Sequence, residues 1–148
     1  VSALEKFKDW NLTFNKPATD QVELPSDITS VSSEQLGELM TRLTSWTDYI
    51  SSQMTMAQLE ERAALKKKDF AENTMLIRRM GSQAKGERVT TVKAEIAVSP
   101  DIVQLDNDYE EKYAYRKLVE MLLTNHERDL SLVSREITRR QNENRRNI

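Results

Sequence analysis

The residues best able to do chemistry in this chain are the cations gathered between positions 62 and 93: Arg62, Lys66, Lys67, Lys68, Arg78, Arg79, Lys85, Arg88 and Lys93. Lys and Arg at this density neutralise phosphates and release their counterions, which gives salt-sensitive nucleic-acid binding without regard to base sequence. Phe70 lies among them and offers a ring on which any base can stack. The same cations fit a second use, which is to solvate a helix or to bridge to acidic segments of a neighbouring chain. Charge alone does not choose between the two.

Other chemistry finds little support. His126 is the one histidine and has no Ser or Cys context of a nucleophile, and a single His cannot build a His-rich metal site. The run from Asp106 to Glu111 begins like a calcium loop, but Glu111 stands where that loop needs Gly and Lys117 where it needs Glu. Its plain reading is the solvated first turn of a helix. Paired carboxylates such as Glu60 and Glu61 read as part of a solvent face, and neither a phosphate-binding glycine loop nor a HExxH motif is present. Trp46, Tyr49, Tyr113 and Tyr115 read as packing residues. An interaction protein with no catalytic residues, no cofactor and no metal is expected.

Composition points the same way. The 148 residues hold no Cys, three Gly and three Pro, and are rich in good helix formers. Disulfides and thiolate metal sites are excluded, and a reducing compartment is permitted. With no apolar run of about 18 residues, a cytoplasmic protein that avoids the membrane is expected, in the host cytoplasm if a phage encodes it. The formal net charge of −2 conceals blocks of alternating sign: −6 to Glu61, +6 from Arg62 to Lys93, −5 from Ala94 to Ser134 and +3 thereafter. Such blocks can pair with one another within or between chains.

The elements that must carry these residues are legible as patterns. Residues 1–30 read as an arm, with weak alternation at Trp10 to Phe14 and Gln21 to Leu24 and interruptions at Pro17 and Pro25. Ser32 with Gln35 makes a capping box, and Val31 with Leu36 a hydrophobic staple, so a helix starts there. Its stripe of Leu36, Leu39, Met40, Leu43, Trp46, Ile50, Met54, Ala57 and Ala64 predicts an amphipathic helix from about Ser33 to Met80, ending near Gly81 and Gly86. From Val89 to Val98 the period becomes two and predicts a strand, whose partner would be the arm, another copy or another protein. Ser99, Pro100 and Asp101 supply an N-cap, a first-turn proline and a carboxylate for a second long helix to about Gln141. The fold class expected is mainly α: two long amphipathic helices, a short extended β segment between them and an N-terminal arm, in an oligomer. The domains expected are the arm at 1–30, a helical oligomerisation and nucleic-acid-binding domain at 31–141 and a basic polar tail at 142–148.

Between Leu39 and Arg140 the chain resembles the UvsY-type recombination mediators of tailed phages. The resemblance rests on Ser45-Trp46, on Ala63 through Lys68, on the 89–98 segment leading into Ser99 to Val103, and on a final helix with a basic tail. It implies a non-enzymatic accessory that forms a homo-oligomeric ring and binds single-stranded DNA. Such a protein helps a RecA-type recombinase displace single-strand-binding protein and form a filament. On this reading Lys66, Lys67, Lys68, Arg78, Arg79, Lys85 and Arg88 contact phosphate, Phe70 stacks, and Leu118, Leu122, Leu130, Val133 and Ile137 associate subunits. The leading alternative is a helical structural or adaptor protein of a phage or cellular assembly, acting through protein contacts alone. A small inhibitor binding a host enzyme through the acidic arm is a third reading.

Overall fold

The structure is a computed structural model that describes residues 2–10, 15–81 and 88–148. Four α-helices are present among them: α1 (Ala3–Asp9), α2 (Ser33–Gly81), α3 (Val89–Ala97) and α4 (Pro100–Arg146), with a single 3-10 turn at Ile28–Ser30. The contacts divide into two units, Val1–Met54 with Val119–Ile148, and Thr55–Leu118. No described helix is long and apolar enough to cross a membrane.

The first unit begins with a helix inside the expected arm. Ser2 and Glu5 cap α1 reciprocally, the same capping logic that starts α2, where Ser32 Oγ accepts from Gln35 N and Gln35 Oε1 accepts from Ser32 N, both at 3.2 Å. Leu36 and Leu43 of α2 pack with Val133 of α4 and Val22 of the arm, and Val31 joins this core as the staple requires. Trp46, Ile50 and Met54 pack with Val119 and the partly buried Leu122 and Leu123. Val119, His126 and Val133 stand seven residues apart on α4 and are all buried, so His126 occupies a core position of a heptad stripe. Its Nδ1 lies 3.0 Å from the carbonyl of Leu122.

The arm is tied down by polar contacts. Trp46 Nε1 donates to the carbonyls of Thr19 and Asp20 at 3.1 Å, and Arg42 Nη2 donates to Asp20 O at 3.0 Å. Near the other end of the unit, Arg140 of α4 donates to Val31 O at 2.6 Å, to Thr29 O at 3.2 Å and to Ser33 Oγ at 3.2 Å, while its Nε holds Glu136 at 2.9 Å. Arg140 thus occupies the carbonyls that the turn before α2 leaves unpaired. Helix α4 continues to Arg146, through most of the expected polar tail. Arg139 supports that extension by bridging Glu136 and Glu143, three residues before it and four after.

The second unit holds one correction. Residues 89–98, expected as a strand, form α3 and the residue that ends it, and the described residues contain no strand. Val92, Ala94, Ile96 and Val98 fit the period of two, but Val89, Val92 and Ile96 are spaced three and four apart, and Val92 and Ile96 are buried against Ala71, Met75 and Leu76 of α2 and Ile102 and Leu105 of α4. A lone strand would leave its ladder unpaired, whereas a helix satisfies its backbone internally and still buries both β-branched residues. Ser99 stands at the junction as expected, but its hydroxyl donates back to Ile96 O at 2.7 Å. Gly86 and Lys85 lie outside the described residues, as do Leu12 and Phe14 of the arm.

Two consequences can be measured. Leu43 is fully buried, so Leu43→Ala should lower stability by about 2–5 kcal/mol, read as a lower urea midpoint. Glu136 is held well below the ordinary carboxylate range, to about 2, first by the hydrogen bond from Arg139 and then by that from Arg140, against burial, which pushes it up. A depressed carboxyl stabilises the fold above its unfolded value of 4.5 and loses that contribution as pH falls towards 2. Melting temperature should therefore fall less steeply across that window in Glu136→Gln than in the wild type, and parallel curves would show that the carboxylate contributes nothing.

Candidate nucleic-acid interface

The second unit carries the cationic stretch on the C-terminal half of α2. Its inner face is set by Ala57, Glu61, Ala64, Lys68, Ala71 and Met75, alternating steps of four and three that run along α4. Arg116 of α4 donates from Nε and Nη2 to the Glu61 carboxylate, with both side chains less than a fifth exposed, and its guanidinium lies 5.2 Å from the centre of the Tyr113 ring. Lys68 Nζ lies 2.8 Å from Asp106 Oδ1 and 6.0 Å from the centre of the Tyr109 ring. That hydrogen bond from Lys68 to Asp106 raises the Lys68 pKa above the usual lysine value.

A second stripe with the same alternation runs along the opposite side: Leu59, Ala63, Lys66, Phe70, Asn73 and Ile77. Leu59 is 57% exposed, Phe70 75% and Ile77 74%. Lys66 and Lys67 are exposed beside Phe70, and Arg78 beside Ile77. At about 1.5 Å of rise per residue, Lys66 and Arg78 are separated by about 18 Å along the axis. Lys67 and Arg78, eleven residues apart, share one line of the surface. Cations and an unpacked aromatic ring are thereby presented together on a rigid helix.

The expected phosphate contacts divide. Lys66, Lys67 and Arg78 are outward and enter no ion pair among the described residues. Lys68 is turned inward onto Asp106, and Arg79 pairs with Glu95 of α3. Arg88 stands exposed at the start of α3, where its side chain makes no capping bond. Lys93 is exposed on α3. The run containing Asp106, expected to be a solvated turn, instead supplies Lys68 with its partner. Asn73 is an exposed polar group one turn from Phe70 that charge alone does not single out; its place in the second heptad stripe is the sequence signal that marks it.

The residues expected to associate subunits are used mostly within the chain. Val133 is wholly buried in the first unit, Leu130 and Ile137 pack against the same core, and Leu122 packs against the Trp46 cluster. The intramolecular pairing of α4 with α2 takes up their apolar surface, and Leu118, 61% exposed, is the exception. Comparison with protein-family models, with curated proteins and with solved structures returns no match to this chain.

The division between outward and inward lysines is measurable on a labelled oligonucleotide. Lys67→Ala should flatten the dependence of log affinity on log salt by about 0.7, the loss of one phosphate contact on a single strand. Lys68→Ala should leave that slope unchanged and lower stability by less than about 1 kcal/mol, as expected for a partly exposed pair. Equal effects on the slope would show that Lys68 leaves Asp106 to bind the strand.

Proposed function

We propose that this chain is a non-enzymatic protein that binds single-stranded DNA along the outer face of α2. The reading continues to the role that the resemblance implies, a homo-oligomeric mediator that assists a RecA-type recombinase to displace single-strand-binding protein. The observation that carries it is Phe70, left 75% exposed on a helix between Lys66, Lys67 and Arg78. A large apolar ring in water is unfavourable unless something covers it, and a base meets that need while the adjacent cations meet its phosphates. Every base has a π-face, so such a surface accepts any sequence, as loading a filament requires.

A second reading has its own observation. Leu59, Ile77 and Leu118 are exposed as well, and aliphatic side chains suit a protein partner better than a nucleic acid. On that reading the chain is a helical adaptor whose faces are covered by other proteins.

Anisotropy of labelled poly-dT across a salt series separates the two. Phosphate contacts from Lys66, Lys67, Arg78 and Arg88 should give a log–log slope of about −3, and Lys66→Glu with Lys67→Glu should abolish binding while leaving the helical circular dichroism intact. No binding at low salt would remove the strand-binding reading and leave the adaptor.

A further inference from the structure

Beside the outer face of α2 lies a groove of about 310 Å³ between α2 and α3, lined by Glu72, Asn73, Leu76, Lys93, Ile96 and Ala97. Its walls are mixed in a specific way. Leu76, Ile96 and Ala97 provide apolar surface, Asn73 and Glu72 provide a hydrogen-bonding edge on α2, and Lys93 places a cation on the α3 side. Asn73 and Lys93 are exposed and have no side-chain partner among the described residues. Asn73 also belongs to the outer stripe, three residues after Phe70 and four before Ile77, so the groove opens next to the exposed ring.

We propose that this groove accepts a nucleobase of the bound strand, so that single-strand recognition here is by insertion of a base as well as by charge. The proposal rests on the strand-binding reading and deepens it. A base needs apolar contact on its faces and hydrogen bonds at its edge, and the groove offers both. The sugar–phosphate then lies outside, beside Lys93 on the α3 wall and along the stripe of α2 that carries Lys66, seven residues before Asn73. Glu72 opposes the alternative of a phosphate seated in the groove, because a carboxylate repels it, while the same carboxylate accepts from an exocyclic amino group. An Asn amide pairs with the N6 and N7 edge of adenine, which makes adenine the base best matched to Asn73 and Glu72.

The test compares labelled oligo-dA with an abasic strand of the same length and charge, on the full chain. Wild type should bind the abasic strand at least about tenfold more weakly, since that strand lacks the bases that the groove and Phe70 contact. Ala97→Phe, which fills the groove from an exposed position and leaves every cation in place, should lower oligo-dA affinity several-fold towards the abasic level, leaving the part that stacking on Phe70 supplies. Asn73→Ala, a milder change, should reduce affinity for oligo-dA and leave the abasic strand unaffected. Phe70→Ala separates stacking on the open ring from insertion, because it should weaken oligo-dA without removing the sensitivity to Ala97→Phe. Equal wild-type affinity for both strands overturns the groove while strand binding stands, as does an Ala97→Phe variant that discriminates as strongly as the wild type. Failure to bind either strand at low salt removes the strand-binding reading, and the groove with it.

Discussion

The Glu61–Arg116 ion pair fixes which side of α2 faces inward in the second unit, and the character of the outer surface follows from that. Both residues sit on heptad positions that would otherwise be apolar, and Arg116 is held on the carboxylate by two nitrogens and lies against Tyr113. A guanidinium fork tolerates little displacement from its carboxylate. Because a helix turns by about 100° per residue, rolling α2 by one position would carry Glu61 away from Arg116 and strand both charges. The pair therefore acts on register more than on raw stability, the best attested use of a polar layer between helices. With Glu61 inward, Lys68 follows seven residues later onto Asp106, and Lys66, Lys67 and Phe70 are left on the outside.

Helix α3 completes the unit through Val92 and Ile96, which fill the space between the C-terminal part of α2 and the start of α4. Its placement brings Lys93 and Ala97 alongside Asn73 and Leu76, residues far apart in sequence. A strand at the same position would have put alternate residues on opposite sides and needed a partner for its backbone. The helical solution instead produces a concave wall beside the stripe that carries Phe70 and Asn73. The heptad stripe of α4 has a similar consequence in the first unit, where Val133, Leu130 and Ile137 close the core over Leu36 and Leu43, and Arg140 anchors the turn that leads into α2.

The proposed binding face is built on one helix and not on loops. Lys66, Phe70, Asn73 and Ile77 have spacings set by the helix itself, so the arrangement of these side chains is fixed by secondary structure alone. Its cations remain separate from the inner charges because Asp106 and Glu95 engage Lys68 and Arg79. Within a block of positive charge, intramolecular pairing thus selects which cations stay on the outer surface.

The sequence by itself determined the two long helices, their starts, and the stripes that bury them. The Ser32–Gln35 box, the Val31–Leu36 staple and the Pro100 start are local signals, written within a few residues and independent of what packs nearby. It also located the cationic block and Phe70. Tertiary structure alone decided the rest, because each remaining question turned on a partner distant in sequence. The 89–98 segment fits both a period of two and steps of three and four, and only the surfaces of α2 and α4 made burial of Val92 and Ile96 as a helix the better solution. Lys68 and Lys67 are neighbours of identical type, and the roll of α2 against α4 sends one to Asp106 and the other to solvent. Val133 and Leu118 are both apolar residues of α4 expected to associate subunits, yet Leu36 and Leu43 cover the first while the second stays exposed. Periodicity specifies that a face is apolar; which surface covers it depends on contacts that sequence spacing does not encode.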